Sequence, residues 1–88
     1  MEKVKVWKPT QREIEEAKRW PTWSKEKSVF DWYYDEDEQF YVVEGEVEVT
    51  LDDGTKVQFS AGDMVKFKAG TKCIWNVKKD IFKHYKLG

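Results

Sequence analysis

The chain has 88 residues, with 16 Lys and Arg against 17 Asp and Glu, one histidine and one cysteine, Cys73. That length sustains one domain burying roughly 60% of its unfolded surface, and the balanced charge predicts no strong field for nucleic acid or an anionic membrane. No apolar run approaches the roughly 18 residues of a membrane span, no intrachain disulfide can form, and a lone thiol without a signal-like start leads us to expect a cytoplasmic protein.

Five Trp, five Phe and four Tyr supply the core volume. Abundant Lys and Glu with a single asparagine, Asn76, match a surface built for thermostability.

Val4 and Val6 alternate with Lys3 and Lys5, which predicts a short strand ending at Trp7 before Pro9. Thr10 followed by Glu13 is a capping box, so residues 11–20 should form a short helix with Ile14 and Ala17 on one face, ending near Arg19 ahead of Pro21. So short a helix needs an apolar surface to dock on, and Trp7, Trp20 and Trp23 are expected to fasten it and the following arm to the rest.

From Lys25 the period changes to two. Phe30, Trp32 and Tyr34 share one face, with Val29, Asp31 and Tyr33 on the other. Residues 35–37 read as a charged, solvated turn, and residues 39–43 as a strand that Gly45 ends with a positive φ. Val47, Val49 and Leu51 form an apolar face, Asp52-Asp53-Gly54 is a hairpin turn, and Val57 with Phe59 continue that face. Turns at residues 61–63 and 69–70 bracket Val65 and Phe67. Cys73, Trp75 and Val77 form another strand, residues 78–80 a turn, and residues 81–87 the last strand. Glu44, Glu46 and Glu48 should pair across strands with Lys66 and Lys68 on an exposed face. About eight short strands and one helix predict a β-sandwich or barrel, a closed form that removes sheet edges.

Glu38, six residues, then Gly45, and later Gly62, five residues, Lys68, one residue, Gly70, two residues and Cys73, resemble the two sequence motifs of the cupins. In those motifs histidines stand where this chain has Trp32, Tyr34 and Cys73, and a proline stands at Lys68. The stretches Phe30-Asp31-Trp32-Tyr33-Tyr34, Tyr41-Val42-Val43-Glu44-Gly45, Gly62-Asp63-Met64-Val65-Lys66-Phe67 and Lys83-His84-Tyr85, with Trp20-Pro21-Thr22-Trp23, are similar to small single-domain cupins of the (S)-ureidoglycine aminohydrolase type. The resemblance implies an all-β fold, a cupin jelly-roll β-barrel with one short N-terminal α-helix. It implies a single domain over residues 1–88, with strand, helix and arm over 1–24 and the barrel over 25–88. It also implies a manganese site in the active aminohydrolase. Of the ligand set only Glu38 is kept, so we expect no metal and no other cofactor here.

On the same alignment Trp32, Tyr34, Glu38, Cys73 and Trp75 face the barrel interior, joined by Phe40 through its parity. These six either fill the core or line an aromatic pocket for a small organic ligand. A carboxylate inside an apolar barrel is pushed towards its neutral form and can act as acid or base; alternatively Glu38 is satisfied by Tyr34, a backbone amide or water. Cys73 is a nucleophile only with a base beside it, and His84 is the sole histidine to serve. Glu38, Cys73 and His84 are thus the catalytic candidates, and by ligand type they also form a metal set that their spacing does not support. The expected function is small-ligand binding without a catalytic metal, by a monomer or homodimer. The alternative is an enzyme of aminohydrolase or sugar isomerase/epimerase type, with Glu38 as acid/base.

Overall fold

The structure is a computed structural model and describes residues 3–88. The elements in order are β1 (Val4–Trp7), α1 (Gln11–Ala17), β2 (Thr22–Lys25), β3 (Ser28–Tyr33), β4 (Glu38–Leu51), β5 (Lys56–Ser60), β6 (Met64–Phe67) and β7 (Lys72–Leu87). All strand pairs are antiparallel.

Two long strands, β4 and β7, pair along nearly their whole length and belong to two sheets at once. Residues 38–42 of β4 and 81–87 of β7 sit in a sheet ordered β1-β6-β4-β7-β2. Residues 46–51 and 72–77 sit in a second sheet ordered β5-β4-β7-β3. Inward side chains from both, including Phe40, Val42, Phe67 and Ile81 from the first and Val49, Phe59, Trp75 and Val77 from the second, make one continuous core.

Gly45 makes the bend between the sheets. Its φ is 108°, and an added Cβ would lie 2.6 Å from the Asp80 carbonyl oxygen and 2.8 Å from the Ile81 Cα. The β4–β7 register shifts here, and the buried positions of β4 change from even (Phe40, Val42) to odd (Val47, Val49, Leu51). From the Val42–Lys83 pair to the Val47–Val77 pair β4 takes an odd number of steps and β7 an even number, so the bulges here turn the apolar side of β4 into the second sheet while β7 keeps its parity.

Three expectations change. The turn expected at residues 78–80 is continuous strand: Lys78-Lys79-Asp80 has no glycine to reverse the chain, and the bend comes from Gly45 opposite. Residues 22–24, expected in an arm outside the barrel, belong to β2 and pair with β7, so the N-terminal segment completes the first sheet. Glu46 and Glu48 lie opposite β5 and β7, away from Lys66 and Lys68; Glu48 meets Gln58 at 3.1 Å and Lys78 at 4.0 Å.

The Thr10–Glu13 capping box forms, with the Glu13 N–H donating to Thr10 Oγ1 at 3.2 Å and the Thr10 N–H to Glu13 Oε1 at 2.9 Å. The helix stops at Ala17, two residues before the expected end, and the Arg19 and Trp20 N–H groups close tighter i to i+3 bonds. Ala17 is buried, and its helix packs on β4.

Candidate functional site

One end of the barrel is filled. Phe40, Phe59, Phe67 and Trp75 interlock there, with ring centroids 5.4–6.4 Å apart. The other end holds a cavity of about 250 Å³. Its walls are Trp23, Phe30, Trp32, Tyr34, Trp75 and Tyr85; Glu38 and Lys83 supply charge inside, and Asp35 and Glu36 lie at its border with Tyr33 and Leu87.

Strand pairing explains these placements. Phe30 is in register with Trp75 and stacks on it at 5.9 Å, and Trp32 is in register with Cys73. Trp23 on β2 is in register with Lys83 and meets Trp75 edge-on at 6.1 Å. Tyr34 lies beyond β3, where its N–H donates to the Thr71 carbonyl, and its ring stacks on Phe67 at 4.5 Å. Trp32 stays 43% exposed and packs edge-on to both Phe30 and Tyr34, forming a rim.

The polar centre is an ion pair. Lys83 Nζ donates to Glu38 Oε2 at 2.7 Å, with Lys83 5% and Glu38 8% exposed. The same ammonium lies 3.8 Å from the Phe40 ring centroid, 4.9 Å from Trp23 and 5.0 Å from Trp75. It is thus boxed by three aromatic rings and one carboxylate. Burial pushes the Lys83 amine below its ordinary value of 10.5, and the Glu38 carboxylate opposes that shift.

Two buried polar atoms beside this pair, the Tyr34 hydroxyl and the Trp75 indole Nε1, have no hydrogen-bond partner. Such atoms are rare in folded proteins, because each forfeits its hydration without return. Burial first, then the charge of Glu38, pushes the Tyr34 phenol well above 10.0 against a smaller opposing contact with Trp75, so it stays protonated.

Of the sequence candidates, Trp32, Tyr34, Glu38 and Trp75 line the cavity together. Phe40 and Cys73 are buried behind its wall. Cys73 Sγ lies 3.7 Å from the Trp32 carbonyl oxygen, and burial raises its thiol to about 11. His84 is on the same strand as Cys73, eleven positions on; its Nδ1 meets the Trp20 carbonyl oxygen at 3.0 Å and its ring packs on Phe82. Cys73 therefore has no base in His84, which the sequence allowed as a candidate partner. Nor is Glu38 satisfied by Tyr34 or a backbone amide, since Lys83 fills that role. Asp37, expected in a solvated turn, accepts from the Ala69 N–H at 2.8 Å and ties that turn down.

Lys83, Trp23, Phe30 and Tyr85 are among the cavity residues that were not site candidates from the sequence. Parity held the signal for Lys83: it follows Ile81 by two, on the face that buries Cys73, Trp75 and Val77. Among the described residues, no three His, Cys, Asp or Glu side chains gather as metal ligands, and Glu38 is already bonded to an ammonium, so the donor set at the cupin motif positions does not fit a catalytic metal. Among them too, no helix is long and apolar enough to cross a membrane.

Comparison with known proteins agrees with this architecture. A DUF861 family protein from Thermotoga maritima is 47% identical, with a TM-score of 0.93 over 97% of this chain and 99% of that one. The EutQ protein of Clostridium difficile is 27% identical, with a TM-score of 0.68 over 75% of this chain and 52% of that one, so this chain spans about half of its length. A putative ethanolamine utilization protein Q from Salmonella typhimurium shares the fold at 18% identity, with a TM-score of 0.64 over 96% of this chain and 68% of that one. No curated protein matches the chain. Residues 12–85 match the model of the EutQ-like cupin domain, and the chain belongs to that cupin family.

Proposed function

We propose that the protein binds a small, uncharged organic ligand in its aromatic-lined cavity, without a catalytic metal, and that the Glu38–Lys83 pair and its neighbours hold the ligand's polar end. The observation that carries this reading is the buried Glu38–Lys83 ion pair on two residues that line an aromatic-walled cavity of about 250 Å³. The pair can meet a ligand's polar end, while the rings of Trp23, Phe30 and Trp32 cover an apolar body. Charge argues against an anion: Lys83 is neutralised by Glu38, and Asp35 and Glu36 add negative charge at the border. A buried ion pair is no more stabilising than well-packed apolar side chains, so its presence at a cavity fits use better than fold stability.

The test is a titration of tryptophan fluorescence with neutral hydroxyl- and carbonyl-bearing aromatic compounds. Saturable changes that disappear in Trp32→Ala are expected. A flat response across the panel contradicts the reading.

A second reading, an enzyme of aminohydrolase or sugar isomerase/epimerase type, draws on one observation: Glu38 borders the cavity with a proton donor, Lys83, in contact. The stretches shared with small (S)-ureidoglycine aminohydrolase-type cupins favour that subgroup. Turnover of such substrates that Glu38→Gln abolishes would establish this reading.

A further inference from the structure

Lys83 is the one lysine buried among the described residues, and it is one of the residues that line the cavity. An amine at such a place has a chemistry that binding alone does not use. The ring box of Phe40, Trp23 and Trp75 removes water from it, and Glu38 at 2.7 Å is a proton acceptor already in contact.

We propose that Lys83 captures a carbonyl ligand, an aldehyde or ketone, by condensing with it to an imine while Glu38 carries the protons; this rests on the ligand-binding reading above. The step balances without a redox partner. The Lys83 ammonium gives one proton to Glu38, and the free amine attacks the carbonyl carbon. The C–N bond forms as the carbonyl π pair moves to oxygen, which takes the proton from Glu38. Glu38 then removes a second proton from nitrogen and delivers it to the hydroxyl group. Water leaves as the nitrogen lone pair forms the C=N bond. The products are a protonated imine paired with the Glu38 carboxylate, and one water. The aromatic faces that now surround the ammonium suit this cation equally.

The test uses benzaldehyde with sodium cyanoborohydride at pH 7, followed by peptide mapping of the reduced adducts. Benzyl alcohol, of the same shape but without a carbonyl, reports occupancy of the cavity through tryptophan fluorescence. Lys83 should be alkylated at least about tenfold faster than any other lysine. Excess benzyl alcohol should protect it, and Lys83→Met should retain only the slow labelling of the surface lysines. If benzyl alcohol changes the fluorescence but Lys83 reacts no faster than surface lysines, the imine proposal falls and ligand binding stands. If neither response occurs, both fall.

Discussion

The two ends of this barrel use the same kinds of side chain for different ends. At the filled end Phe40, Phe59 and Phe67 close on one another, and charge reaches them only where the Lys83 ammonium sits 3.8 Å from the Phe40 ring. At the open end Trp23, Phe30, Trp32 and Tyr34 stand around space, with Glu38 and Lys83 among the lining residues. Trp75 belongs to both: its ring packs on Phe59 at 5.4 Å while it lines the cavity. Aromatic content in a small barrel therefore does not distinguish core from site. Incomplete packing and buried polarity do.

The largest expected effects lie at the filled end. Phe67→Ala should cost about 3–5 kcal/mol in denaturant unfolding, because it empties a fully enclosed site. Trp32→Ala, on the half-exposed rim, should cost under about 1.5 kcal/mol and act on ligand response instead. Equal costs would mean that the open end is ordinary core. Gly45→Ala should rank with the core changes, losing roughly 2–4 kcal/mol, since it forces a side chain into a positive-φ position already in contact with the Asp80 and Ile81 backbone.

The ion pair gives the next contrast. Glu38→Ala leaves a buried amine without its partner and should destabilise by about 3 kcal/mol. The double change Glu38→Leu with Lys83→Met should recover most of that loss, reaching neutrality or a gain of about 1–2 kcal/mol, while abolishing ligand response. A double variant as unstable as the single one would show that the pair holds the fold and has no need of a ligand.

The smallest effect concerns the wall behind the cavity. The folded Cys73 thiol is held at about 11 against an ordinary value of 9.0, chiefly by burial. The unfolded chain releases that proton first, so it binds fewer protons across the window and stability falls as pH rises. The contribution is fully present below pH 9.0 and is lost on passing about 11. Unfolding of wild type and Cys73→Ala at stepped pH should therefore show their stability difference shifting against wild type across that window. A constant difference would place the thiol in contact with solvent.

How much of this was legible in the sequence depends on which physical cue carried it. Alternation placed most strands, and Gly45 was singled out for its positive φ but read as the end of a strand rather than a bend within one. The continuity of β4 and β7 was not legible, because a glycine or a charged cluster reads as a turn while here the Gly45 bulge only bends two strands that stay paired. Around the cavity, Trp32, Tyr34 and Glu38 were singled out by motif position and Trp75 by its alternation with Cys73. Lys83 was passed over because a lysine in a strand is usually solvated, although its parity matched Trp75. Its burial depends on Glu38 reaching it from 45 residues away, which no local pattern expresses.

The most direct test of the central claim follows the five tryptophan indole N–H signals in a ¹H–¹⁵N spectrum while benzyl alcohol is titrated. If the open end is a ligand site, the Trp23, Trp32 and Trp75 signals move and Trp7 and Trp20 stay still. Uniform small shifts, or no movement of the three cavity-lining tryptophans with any neutral ligand, would contradict it.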